Sequence, residues 1–342
     1  MERIDKLRIS IVGTTSWGTT LGLLLSRAGN NITLIARTEI EVDKILAEGE
    51  NSRFLPGYKF PSHLHISSIE KHTIENSNLI IFAVPSGSLR DNARKLKDWV
   101  SPKTIIVIAT KGLEASTGNF MSDIIDQELN LENPSQVCIL SGPNLSREIA
   151  EGLPTSTVIS STSSANAKIV QDALASDKFR TYVNSDVIGT QLGGAMKNVV
   201  AIVAGIADGL DLGDNAKAGV ISRAMAEIVR LGTALGANPS TFSGLAGLGD
   251  LMATSYSRLS RNRYFGEQLG KGQSPETILA NMQNVVEGID TTKAVLLLAQ
   301  KLEVEMPIAK NLGHILWDNM KPLDVVETLM SRPTTSETKT AN

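Results

Sequence analysis

Short apolar runs recur along the first half of the chain, separated by stretches with helical spacing. Leu7–Val12, Ile32–Ala36, Leu79–Val84, Ile105–Ala109 and Val137–Leu140 are apolar nearly throughout rather than alternating. That pattern predicts strands buried on both faces, as in a parallel sheet. A helix is predicted over Thr19–Arg27, closed by Ala28-Gly29, and Thr155–Ser160 and Arg180–Val183 extend the sheet at its far edge. Strands alternating with helices give an α/β, Rossmann-like doubly wound fold. Past about Asp186 the pattern changes. Val187–Gly209, Ala216–Leu235, Pro275–Asn281, Thr291–Leu302 and Leu323–Met330 keep helical spacing, and strand-like runs cease. The expected organisation is an α/β part at 1–186 and an all-helical part at 187–330. The polar segment 331–342 is expected to be a disordered tail.

The chain's 342 residues leave room for two cores. Its 42% hydrophobic and 20% charged residues are those of an ordinary globular protein. A net charge of -3 gives no reason to expect nucleic acid, although a local basic pocket for a small anion stays open. Cys138 lies in an apolar run and has no second cysteine to pair with, which fits a reducing compartment. His63, His65, His72 and His314 lack companion ligands at zinc-site spacing, so no metal is expected. The charged start Met1–Lys6 is unlike a signal peptide, and no uninterrupted apolar stretch approaches the ~20 residues of a membrane helix. A cytoplasmic chain without membrane insertion is the expectation.

Gly13-Thr14-Thr15-Ser16-Trp17-Gly18 joins the first strand to the first helix. A dinucleotide fingerprint reads G-x-G-x-x-G; here Gly13 and Gly18 hold its first and third positions and Thr15 replaces the second. A plain strand–helix turn reads as well from this segment alone. After the second strand stands Arg37, with Glu39 two residues on, where NAD enzymes usually carry a carboxylate for the ribose. An arginine there suits a 2′-phosphate, pointing to NADP acceptance with NAD not excluded; a solvated arginine is the bland alternative. Lys111 and Gly142-Pro143-Asn144 lie just past the carboxyl ends of two predicted strands, where doubly wound folds bind ligands. Lys197 interrupts the apolar stretch Gly193–Ile202. Burial disfavours an ammonium's charge and is one route to a lysine general base, whereas snorkelling to the surface is the other reading. Gly247-Leu248-Gly249-Asp250 sets a carboxylate behind two glycines, and Ser260-Arg261-Asn262-Arg263 opens a helical stretch. Arginine at a helix start suits a phosphate; ordinary capping is the alternative.

Taken in order, GTTSWGTTL, VPS, ATKGLE, SGPN, EGLPT, QLGGAMKNVVAI, GLGDL, SRNRYFG and VVEG make the chain resemble the bacterial-type NAD(P)-dependent glycerol-3-phosphate dehydrogenases, from Gly13 to about Pro307. The resemblance implies a dinucleotide-binding domain at 1–186 and a substrate domain at 187–330. It implies reversible hydride transfer between NAD(P)H and dihydroxyacetone phosphate, making glycerol 3-phosphate for phospholipids, in a homodimer. Lys197 would be the general base or acid, with Lys111 and Asp250 beside the reacting centre. Gly142, Asn144, Asn198, Thr254, Ser260, Arg261 and Asn262 would hold substrate. Gly13, Ser16, Trp17, Gly18, Arg37, Lys111, Ser146, Arg261, Val285 and Glu287 would contact the dinucleotide. Thr15 departs from the family's glycine, and its Cβ would press on the pyrophosphate; Thr20 and Ser255 are smaller departures. A non-catalytic homologue with a weakened dinucleotide site is one alternative. A β-hydroxyacid dehydrogenase is the other, opposed by the phosphate-suited Ser260-Arg261-Asn262.

Overall fold

The computed structural model describes residues 6–131, 133–282, 285–331 and 333. Eight strands form one sheet: β1 (Arg8–Val12), β2 (Asn31–Ile35), β3 (Leu64–Ser67), β4 (Leu79–Phe82), β5 (Ile105–Ile108), β6 (Val137–Ser141), β7 (Thr155–Ser160) and β8 (Phe179–Asn184). Their order is β3-β2-β1-β4-β5-β6-β7-β8. Neighbours are parallel except β6 and β7, whose link holds only a five-residue helix before the chain turns back. Around the sheet lie α1 (Ser16–Arg27), α2 (Glu39–Glu48), α3 (Lys71–Glu75), α4 (Leu89–Leu96), α5 (Met121–Leu129), α6 (Ser146–Ala150) and α7 (Ser164–Leu174). Ile9, Ile11, Leu79 and Ile81 face one core and Val12, Ile80 and Phe82 the other, which is why β4 is apolar at every position and β1 at all but Arg8 and Ser10. In register, Ile35, Val12, Phe82, Ile108 and Ile139 line up near one edge. Strand order reverses between β1 and β4, so that carboxyl edge carries the switch point at which such folds bind ligands.

The remaining helices are α8 (Val187–Gly209), α9 (Gly213–Ala234), α10 (Asp250–Tyr256), α11 (Arg261–Gly270), α12 (Pro275–Ala280), α13 (Glu287–Lys301), α14 (Pro307–Trp317) and α15 (Pro322–Met330). Among them α8 is central. Its length and mean hydropathy of 1.3 would suit a membrane span, yet 78% of that window is buried inside the fold. Buried Met196, Val199, Val200 and Ile202 on α8 share one core with Phe265 of α11 and Val295 of α13. Glycine sets how close α8 and α11 come: a Cβ on Gly205 would strike the Arg263 carbonyl, and one on Gly266 the Ile202 carbonyl. This seam fixes Lys197 and Asn198 beside the start of α11. Asp186 caps α8 at the Gly189 amide (2.8 Å) and also accepts from Asn238 N (2.9 Å) and Thr241 Oγ1 (2.6 Å). Helix α13 begins at Glu287, four residues before the periodicity predicts, because Thr291 and Thr292 bond back to the Glu287 and Gly288 carbonyls. Most of the tail expected to be disordered lies outside the described residues.

Candidate active site

Residues predicted to act together from distant parts of the chain meet at the carboxyl edge of the sheet. At the switch point Gly13 has φ +114°, and a Cβ there would lie 2.8 Å from the Ala83 carbonyl; Gly18 has no room for one because it packs on the Gly13 carbonyl. The start of α1 therefore sits tightly on the strand ends, its first amides directed out of the helix. Trp17 Nε1 is buried and has no partner among the described residues. A glycine cradle at a helix start, with an orphaned indole donor beside it, fits the pyrophosphate end of a dinucleotide. Ser16 Oγ donates to Phe54 O (2.8 Å), and the start of α6 at Ser146 is tied to α1 by Thr20 Oγ1 (3.2 Å). Arg37 is exposed just past β2.

Thr15 behaves differently from a residue forced into a glycine's place. Its φ of -65° is ordinary, and its hydroxyl turns back onto the protein, donating to Ala83 O (2.8 Å) and accepting from Gly18 N (3.1 Å). It is the N-cap of α1. In doing so it occupies one amide that a phosphate would otherwise receive. Thr15→Gly should lower the Kd for dinucleotide by up to about tenfold, with stability reduced by only about a few tenths of a kcal/mol. Calorimetric titration checks this, and an unchanged or weaker Kd overturns it.

The densest charge lies further along the same edge. Asp250, 1% exposed, accepts from Lys111 Nζ through Oδ2 (2.6 Å) and from Lys197 Nζ through Oδ1 (2.5 Å). Lys111 comes from the loop after β5 and also donates to Gly142 O (2.8 Å), whereas Lys197 and Asp250 come from α8 and α10. One buried carboxylate thus aligns two ammoniums from opposite sides. Burial lowers Lys111 to about 8; Asp250 opposes that shift and the Lys197 charge adds to it. Thr254 Oγ1 donates to Asp250 O (2.7 Å), steadying the first turn of α10.

Beside this cluster Asn262, buried near the start of α11, donates to Asn198 Oδ1 (2.9 Å) and accepts from Gly288 N (3.0 Å). Asn198 Nδ2 is left with no partner among the described residues, as are Asn144 Nδ2 and the Ser141 hydroxyl. Asn144 has its oxygen taken by Thr157 Oγ1 (3.0 Å). Ser260 caps α11 through Arg263 N (3.2 Å), and Arg261 stands exposed at the helix start. Glu287 approaches from α13: burial raises its carboxyl above the usual range, against the pull of Arg261, Lys197 and Lys111. Val285 is exposed just before that helix. Buried donors without partners beside paired cations are equipped to receive a polar, anionic ligand. The Ser141 hydroxyl was not singled out by sequence, since a serine ending an apolar run carries no signal of its surroundings. A cavity of about 1490 Å³ between α8, α9, α14 and α15 contains none of these groups. Charge and unpaired donors, rather than volume, mark the site.

Comparison with known proteins bears on this geometry. The model of the NAD-dependent glycerol-3-phosphate dehydrogenase N-terminus matches residues 8–167, and that of the C-terminus matches 186–327. A glycerol-3-phosphate dehydrogenase (NAD(P)+) of Corynebacterium glutamicum is 44% identical over 330 residues, covering 96% of this chain and 99% of the relative. One from Dehalococcoides mccartyi is 41% identical over 331 residues, covering 96% and 92%. The crystal structure of glycerol-3-phosphate dehydrogenase from Coxiella burnetii matches with a TM-score of 0.90 at 38% identity, covering 96% of this chain and 99% of that one.

Proposed function

Because the chain belongs to the NAD-dependent glycerol-3-phosphate dehydrogenase family, we propose that the Lys111–Asp250–Lys197 cluster is its reaction centre. The enzyme is an NAD(P)-dependent oxidoreductase that interconverts dihydroxyacetone phosphate and glycerol 3-phosphate. The observation carrying the assignment of roles is the single buried carboxylate held between two lysines at the sheet's carboxyl edge.

In this reading residues 1–186 serve the dinucleotide and 187–330 the substrate. The Gly13–Gly18 turn would hold the dinucleotide, whose chemistry would be to supply or receive hydride at the substrate's C2. Lys197 gives a proton to the C2 oxygen during reduction and takes it back during oxidation. Asp250 keeps Lys197 aimed and offsets the charge of both ammoniums. Lys111 lends positive charge where the oxygen becomes anionic. Arg261, Asn262 and the first amides of α11 hold the phosphate, with Ser260 bracing the turn. The free amide donors of Asn198 and Asn144 take substrate oxygens. Glycerol 3-phosphate made here would feed phospholipid synthesis, and Cys138, free and buried in β6, agrees with a reducing cytoplasmic setting.

The test is the loss of NADH or NADPH absorbance on adding dihydroxyacetone phosphate to purified protein, repeated with Arg261→Ala. Unsubstituted protein should consume cofactor, and the variant's KM for the phosphorylated substrate should rise about a hundredfold, as expected for losing a charged hydrogen-bond partner of phosphate. An unchanged KM would put the phosphate elsewhere. No consumption by a folded sample that still binds substrate would favour the non-catalytic reading.

A further inference from the structure

The turn at the switch point is braced by a side chain with no structural need to be charged. Glu41, in the first turn of α2, reaches back across the carboxyl end of β2. Its Oε1 accepts from Thr14 Oγ1 (2.5 Å) and its Oε2 from the Arg37 amide (3.3 Å). Thr14 is itself fixed, because buried Asn51 donates to its carbonyl (2.8 Å) and to Thr19 Oγ1 (2.8 Å). Glu39, the acidic residue nearest to Arg37 in sequence, is exposed and lacks these contacts. Arg37 has only its backbone amide tied down among the described residues, and its guanidinium is exposed.

The carboxyl end of the second strand is where a doubly wound fold receives the adenosine ribose. We infer that Glu41 reads the ribose 2′-position, accepting from the diol of NAD(H) and opposing the 2′-phosphate of NADP(H), while Arg37 pulls the other way. A carboxylate has about four acceptor positions; Thr14 and Arg37 N take one on each oxygen, so each oxygen keeps capacity for a ribose hydroxyl. A 2′-phosphate offers no such donor and sets its negative charge against the carboxylate. Opposed charges at one ribose give an enzyme that accepts both cofactors, with Glu41 limiting NADP(H). The inference rests on the dinucleotide reading of the Gly13–Gly18 turn.

Calorimetric titration of the full chain with ADP-ribose and with 2′-phospho-ADP-ribose tests it without any turnover. The unsubstituted chain should bind ADP-ribose more tightly. Glu41→Gln, which can keep the Thr14 bond while removing the charge, should shift the ratio of the two Kd values about tenfold toward the phosphorylated fragment. Arg37→Ala should shift it the opposite way. If Glu41→Gln and Glu41→Ala weaken both fragments equally, Glu41 merely holds the turn and the inference is overturned. An unchanged ratio in both variants overturns it as well. Should neither fragment bind the unsubstituted chain, the dinucleotide reading beneath it fails too.

Discussion

Lys197→Met is expected to lower kcat for dihydroxyacetone phosphate reduction by about 10²–10⁴-fold, the usual worth of a positioned general acid, while the dinucleotide Kd stays within about twofold. Methionine is similarly unbranched and fills much of the same space inside α8, so the α8–α11 seam is undisturbed. What it removes is the ammonium 2.5 Å from Asp250 Oδ1. Asp250 keeps Lys111 as its partner, so the carboxylate is not left alone in the interior. A steady-state assay paired with calorimetric titration separates the outcomes. Near-normal kcat would exclude Lys197 from proton transfer, and loss of dinucleotide binding would mean that the substitution had disturbed the fold.

Asp250→Asn should act more broadly. It leaves two ammoniums facing a neutral amide at a position only 1% exposed. Breaking a buried ion pair by removing one partner costs about 3–5 kcal/mol. We expect kcat/KM to fall by at least about a hundredfold on the proposed roles. The pH profile carries more information than the magnitude. In the unsubstituted enzyme reduction needs charged lysine, so its rate should decline as pH rises through about 8, where Lys111 loses its proton. Asp250 raises the Lys111 value, so removing its charge should move the decline of reduction to lower pH. A decline at unchanged pH in Asp250→Asn would show that Lys111 does not govern it.

How much of this was legible in sequence depended on how local the cause was. Strands β4 and β5 could be read directly because burial on both faces makes every position apolar. The edge strand β3 could not, since Leu64–Ser67 holds two apolar residues and its pairing with β2 is set by tertiary contact. Nor did the Thr- and Ser-rich β7 announce that it would lie antiparallel to β6. Lys197 stood out because a charge interrupts an apolar helix. Its partnership with Asp250 had no local signal, and the Lys111–Asp250 bond spans 139 residues. Glu41 gave no local signal, because the count from β2 does not reveal which side chain of α2 curls back to Thr14. For Thr15, the resemblance drew attention to its Cβ, while the capping bond of its hydroxyl to Gly18 N had no signal in sequence.

Asp250 has a further consequence, for how the molecule melts. Lys111 stands on the loop after β5, whereas Asp250 and Lys197 belong to the helical half, so the sheet cannot lose its structure alone without stripping a partner from a carboxylate still enclosed by α8 and α10. That penalty ties the two cores flanking the sheet to the core of the helical half. Heat should therefore unfold the chain in a single calorimetric transition rather than two, and the coupling should slacken in alkaline solution as Lys111 gives up its charge.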